Sequence, residues 1–460
     1  MFVFTTELLS RIQFAFTISF HILFPAFTIG LASWLAVLEA MWLIIKHPIY
    51  KEIYKFWVRI FAITFAMGVV SGVVMSYQVG TNWSNFSYYA GNIVGPLLGY
   101  EVLTAFFLEA SFLGIMLFGW NKVSKKMHFV STIIVALGTI ISAFWVLSAN
   151  SWMHTPQGFT ISENGLLLPN SWLKIIFNPS FPYRFSHMIV ACYLTTAFTV
   201  SGISSYYLWR KKFIPQAKIM FLMSMFVIVI CAPLQLLLGD AHGINSLKYQ
   251  PAKIAAIEGI YENEKSAALR IFGVPDDEAE ILRYPLEIKN LASLILTRSF
   301  DGEVKGLKNW QKKDRPPSKI IFFAFRIMVG IGILMIIASI IFLLLFLRKT
   351  LFNSNWFRYY CMLLTPSGFI AILSGWFVTE IGRQPYIVYG VLRTVDMVSR
   401  IDIKQISISL LLFLVVYFII FGLGSYYIIS LILSGSNLRS SYTSKSFGYQ
   451  PIADIFFLKK

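Results

Sequence analysis

The sequence predicts an all-α, polytopic membrane protein with about nine transmembrane helices, and three observations carry that expectation. Of its 460 residues, 57% are hydrophobic and only 13% charged, a usage far from that of soluble domains. Apolar stretches of about 20 residues or more, long enough to cross a bilayer, recur along nearly the whole chain. Basic residues gather in alternate connections between them, as in a chain threaded back and forth through a membrane.

In chain order the stretches fall at roughly 12–45, 57–80, 96–120, 128–150, 185–209, 217–239, 320–347, 360–380 and 405–433. The start, MFVFTTELLSR, has no basic n-region and no small-residue cleavage site follows, so the first stretch is expected to be a retained span. Lys46, Lys51, Lys55 and Arg59 follow span one, and Lys122, Lys125 and Lys126 follow span three. Arg210, Lys211, Lys212 and Lys218 follow span five, while Arg348, Lys349 and Arg358 follow span seven. The positive-inside rule makes these four connections cytoplasmic, with the N-terminus outside and the C-terminus inside. The connection at 81–95 has no Lys or Arg, as an outer loop should. Spans one to six then occupy 1–239 and spans seven to nine 319–435, with a cytoplasmic tail at 436–460. The one sizeable loop, 240–318, lies outside. Within it PAKIAAIEGIYENEKSAALRIFG reads as an amphipathic helix and GVPDD as a turn. GVVSG, Gly68–Gly72, fits close helix packing.

Several function classes drop out. The 39 Lys and Arg against 22 Asp and Glu are scattered over loops, which argues against nucleic acid. Cys192, Cys231 and Cys361 lack CxxC or CxxCH spacing, which argues against disulfides, zinc and covalently attached haem. There is no Gly-Lys phosphate loop and no dinucleotide fingerprint.

The ionisable residues inside apolar segments carry the chemistry, because such groups are costly there and their default reading is functional. His21 and His187 lie within spans one and five. Glu101 and Glu109 lie in span three, eight residues and so about 12 Å of helix apart, on roughly one side. Arg326 and Met328 open span seven, and Glu380 ends span eight with Arg383 just beyond. Glu39, at the inner end of span one, reads as reaching the interface. Given the topology, His21, Glu101, His187, Met328 and Glu380 share one depth in the outer part of the membrane. His and Met are good axial ligands for haem iron, and a carboxylate is a weak one that leaves the metal open. Arg383, Arg393, Arg400 and Lys404 lie outside against the charge rule; Arg383 and Arg393 are suited to neutralise haem propionates. Copper is disfavoured, since a haem–copper site needs more histidines at membrane depth than two.

At these residues the chain resembles subunit I of cytochrome bd-type quinol oxidases. The blocks RIQFAFTISFHILFP, GTNWS, YEVLTAFFLEA, SANSWM, YRFSHM, QPAKIAAIEG, FAFRIMVG and GWFVTEIGRQP carry the likeness, which runs from Arg11 to the last span. The resemblance implies an enzyme of the bacterial cytoplasmic membrane that oxidises quinol at the outer face. It reduces O2 to water with protons from the cytoplasm, so charge is separated without copper. It implies three haems: two haem b, one low-spin and one high-spin, and haem d or a further haem b in its place. By position, His187 and Met328 become the axial ligands of the low-spin haem, with Arg326 beside it, and His21 and Glu380 the ligands of the two high-spin haems, in either order. Trp376 matches the aromatic between haems, Glu101 and Glu109 match residues of haem contact and proton delivery, and Ser142 a residue of the proton path. Lys253 and Glu258 match residues of quinol oxidation. A second transmembrane subunit is implied, with a small accessory one allowed. Tyr386 stands where the family has Trp, and VYGVLRTVDMVS is most like the cyanide-insensitive branch. An ion-coupled transporter with buried carboxylates, or a haem electron carrier that does not reduce oxygen, are the alternatives.

Overall fold

The computed structural model describes residues 5–436 and 438. The chain opens with α1 (Thr6–Ile45), α2 (Pro48–Thr81) and α3 (Ser84–Glu101), then a π-helical turn at Val102–Phe106 that leads straight into α4 (Phe107–Phe118). After α5 (Lys125–His154) come a ribbon of β1 (Phe159–Ile161) with β2 (Leu167–Pro169), a short α6 (Trp172–Ile176), and the long helices α7 (Phe181–Trp209) and α8 (Ile214–Tyr249). The largest loop holds α9 (Pro251–Glu258), β3 (Glu264–Lys265), β4 (Leu269–Asp276), β5 (Ile281–Ile288), α10 (Leu291–Thr297) and β6 (Glu303–Val304). The chain closes with α11 (Ser318–Leu347), α12 (Asn355–Leu363), α13 (Ser367–Ile381), the pair β7 (Tyr386–Val388) and β8 (Leu392–Arg393), and α14 (Ile403–Ser434). Among the described residues nine spans are long and apolar enough to cross a membrane, α3 with α4 and α12 with α13 each counting as one.

Local chemistry sets the helix ends. Thr5 and Ser124 accept hydrogen bonds from the Leu8 and Met127 amides at the starts of α1 and α5, satisfying donors that the first turn leaves free. Pro48 begins α2, where its missing N–H costs nothing. Gly259 closes α9 at φ 68°, a left-handed position that favours glycine.

Two four-helix groups form the body. In the first, α1, α2, α3–α4 and α5 pack together; in the second, α7, α8, α11 and α12–α13 do. Contacts of α7 with α1 and α5 join the groups, and α14 lies against α1 and α2. Close approach at these seams uses missing side chains. A Cβ on Gly30 of α1 would lie 2.7 Å from the Cys192 carbonyl oxygen on α7, and one on Gly368 of α13 would lie 2.5 Å from the Thr195 Cα. Small residues at such crossings are how apolar helices pack when lipid is as apolar as their own side chains. One end of the molecule carries short turns, including Lys46–His47, and the other carries every longer connection.

Three boundaries depart from expectation. The stretch 81–95 is no loop: two residues, Asn82 and Trp83, turn α2 into α3. The large loop begins near residue 250, because α8 continues to Tyr249. The expected amphipathic helix lasts only through α9; Gly259 ends it, and LRIFGVPD pairs with ILRYPLEI as an antiparallel hairpin. Alternating branched and aromatic side chains fit that pleat better than a helix. All of the expected tail 436–460 except 436 and 438 lies outside the described residues.

Candidate functional site

Helix α5 acts as a rail along which the predicted acids are arrayed. Glu109 lies against Gly138, where a Cβ would meet its Cγ at 2.6 Å, and Glu101 accepts a 2.7 Å hydrogen bond from Ser142. Further along, Asn150 donates to Glu380 Oε1 at 2.9 Å and His154 Nε2 lies 3.1 Å from the same oxygen. In an unbroken α-helix residue i+8 sits roughly 80° round the axis. The π turn between Glu101 and Glu109 takes up about one extra residue, bringing both carboxylates onto the side that faces α5. Ser142 and Asn150 are about 12 Å apart along the helix, so Glu101 and Glu380 form steps of a slanted series and do not share one level.

The four expected axial ligands each project from a helix and keep part of their surface free of protein contact. His21 Nδ1 is 3.0 Å from the Ser71 hydroxyl. That hydroxyl gives its own hydrogen to the Met67 or Gly68 carbonyl, so it accepts from Nδ1–H and leaves Nε2 basic. His187, on α7, faces Gln235 of α8, with Nδ1 buried and unpartnered. Three of the four look onto a glycine of a neighbouring helix: a Cβ on Gly72 would sit 3.2 Å from His21, on Gly239 3.3 Å from His187, and on Gly375 2.9 Å from the Met328 sulfur. Glu380 is paired with Arg383, 2.5 Å away. Trp376 stands one turn before it on α13.

At the loop-rich end, Lys253 and Glu258 lie on α9 and are both buried. Burial, reinforced by Arg184 and Arg383 and opposed by Glu380, holds the Lys253 amine well below its usual range. Burial likewise raises the Glu258 carboxyl, which Arg326 and Arg270 pull back down. Arg326 turns toward this loop: it donates to the Ile257 and Arg270 carbonyls, at 2.8 and 2.5 Å, and lies 3.9 Å from Glu258. Arg393 is paired with Asp314 and rests over the Tyr386 ring, so its charge is answered within the chain.

Comparison with known proteins identifies the family. A family model described as cytochrome bd terminal oxidase subunit I matches residues 9–436. The chain belongs to that family. Cytochrome bd ubiquinol oxidase subunit 1 of Bacillus subtilis (strain 168) is 38% identical over 424 residues, 90% of each chain. Cytochrome bd-II ubiquinol oxidase subunit 1 of Escherichia coli (strain K12) is 32% identical over 478 residues, 89% of this chain and 93% of that one. The solved bd oxidase from Geobacillus thermodenitrificans has a TM-score of 0.87 at 30% identity, covering 93% of this chain and 98% of that one.

As a member of the cytochrome bd family the chain is expected to carry haem, and its residues fit the group. A histidine with its second nitrogen anchored, a histidine with an unpartnered buried nitrogen, a thioether and a carboxylate are suitable axial donors. Arg184, whose Nε is buried without a partner, stands with Arg383 and Lys253 within electrostatic reach of Glu380, a basic pocket suited to propionates. Sequence reasoning missed Arg184, although an arginine one turn before His187 in an apolar helix was a signal. It also missed His154 and misread Glu39. Glu39 is fully buried, 2.6 Å from His128 Nδ1 and 2.6 Å from the Thr132 hydroxyl.

Proposed function

We propose that this chain is the quinol-oxidising, oxygen-reducing subunit of a respiratory terminal oxidase, a quinol:O2 oxidoreductase acting with a second transmembrane subunit. Bound haem supplies one-electron transfer and the reduction of O2. His187 and Met328, both in the second helix group, hold the low-spin haem b; His21 on α1 and Glu380 on α13 hold the two high-spin haems, haem b with haem d or with a further haem b. The loop-rich end faces outward, in keeping with the basic residues of the opposite turns.

The chain's own groups manage protons and orientation. Glu258 accepts a hydroxyl proton from quinol, its carboxylate held near Arg326. Lys253 presents a donor to the quinol oxygens, and Arg383 and Arg184 hold the haem carboxylates. Glu109 receives protons from the cytoplasmic side and passes them to Glu101, which the Ser142 hydroxyl keeps aimed along α5. The observation that carries the reading is the physical link between the two halves of the reaction, since Lys253 of the loop reaches the Glu380 cluster. Family membership favours this over a transporter. The test is the assembled, purified complex: its visible spectrum should show low-spin and high-spin haem, and it should consume oxygen with a quinol donor. Colourless intact protein would reject the haem sites. A coloured protein that oxidises no quinol with oxygen would be an electron carrier only.

A further inference from the structure

His154, the last residue of α5, has no exposed surface. Its Nε2 lies 3.1 Å from Glu380 Oε1, and its Nδ1 lies 3.3 Å from both Lys253 Nζ and the Gln250 amide. A carboxylate only accepts hydrogen bonds, so Nε2 carries the proton, and in the neutral ring Nδ1 must accept one. The Gln250 amide also reaches the His154 carbonyl at 3.2 Å, and with two hydrogens on its nitrogen it can share with Lys253 the donation to the ring. The lysine stem packs against Gly382, where a Cβ would lie 2.9 Å from its Cγ and Cε. His154 is hydrogen-bonded both to Glu380 and to Lys253 of α9.

We propose that His154 is a positioning residue that transmits the state of the quinol-oxidising loop to the Glu380 carboxylate. The inference rests on reading Glu380 as an iron ligand and Lys253 as a quinol contact. Two hydrogen bonds in series polarise one another. When Lys253 turns toward a bound quinol, the bond from Nε2–H to Glu380 weakens, and the carboxylate binds iron more strongly, as hydrogen bonding to a ligand governs its donor strength. Loop occupancy is thereby felt at the metal with no electron having moved.

The test is a double-mutant cycle in the assembled, purified oxidase, read by haem content and by the absorption and electron paramagnetic resonance of the oxidised high-spin haems. His154→Leu and Lys253→Met should each shift the high-spin signal while haem content holds. The double variant should match His154→Leu alone, because the relay is already cut. His154→Gln, whose amide still donates to Glu380, should recover part of the native signal. A structural role would lower haem content without that recovery. If His154→Leu fails to assemble, His154→Gln with Lys253→Met carries the same cycle. Additive shifts, or none from His154, would overturn the proposal. Glu380→Gln separates the two levels. Loss of a haem there, with an unmoved His154→Leu spectrum, overturns the relay alone; retention of every haem overturns the ligand reading and the relay with it.

Discussion

Glu258 is a residue on which burial and charge act in opposite senses. Burial raises its carboxyl, and Arg326 and Arg270 lower it by less. Only the ionised form accepts a proton, so quinol oxidation at saturating oxygen should rise with pH through a midpoint above the ordinary carboxylate range. Glu258→Gln should flatten that limb and cut turnover sharply, measured as kcat against pH. The stability sign is the reverse. With its folded-state pKa raised, Glu258 contributes stability that is full below the unfolded value and is lost as pH passes the folded one. The pH rise that activates the base therefore loosens the loop around it. At this scale the sequence was legible wherever an ionisable residue sat mid-span, as with His21, His187 and Glu109. It was not legible at helix ends, where Glu39 and His154 look solvent-exposed and whether they are buried depends on which neighbour packs over them.

Elements matter through the room they leave. Gly375 admits the Met328 sulfur and Gly138 admits Glu109; overpacking at such points costs about 1–3 kcal/mol. Gly375→Val should remove the low-spin haem signal from the reduced-minus-oxidised spectrum while leaving the complex assembled. Gly138→Val should leave that spectrum intact and slow oxygen reduction, as Glu109→Gln should, because it moves the acid and not the haem. Equal spectral damage from both substitutions would refute this division. The spans themselves were readable from hydropathy alone. The π turn at Val102–Phe106 was not, since nothing in VLTAF departs from ordinary helix composition, and neither was the β4–β5 hairpin, whose pairing depends on a partner strand.

Over the whole molecule, the two ends differ in kind, with short basic turns at one and layered loops at the other. If the loops face outward, Glu163→Cys should react with a membrane-impermeant thiol reagent on intact cells and Lys122→Cys should not. The background is low because Cys192 and Cys361 are buried and the partly buried Cys231 lies within the α8 span; the opposite labelling pattern would invert the proposed topology. The succession of nine apolar spans was the large-scale feature best written in the sequence, whereas the slanted series of acids emerged only once α5 was seen to run beside all of them. The basic pocket has an effect on the protein's lifetime in the cell. Arg184, Arg383 and Lys253 crowd one carboxylate where little water reaches, and unbalanced buried charge strains a fold until counter-ions arrive. Since haem would bring those anions and stabilise the folded chain by mass action, a cell short of iron should degrade newly made copies of this subunit faster, as pulse-chase labelling would show.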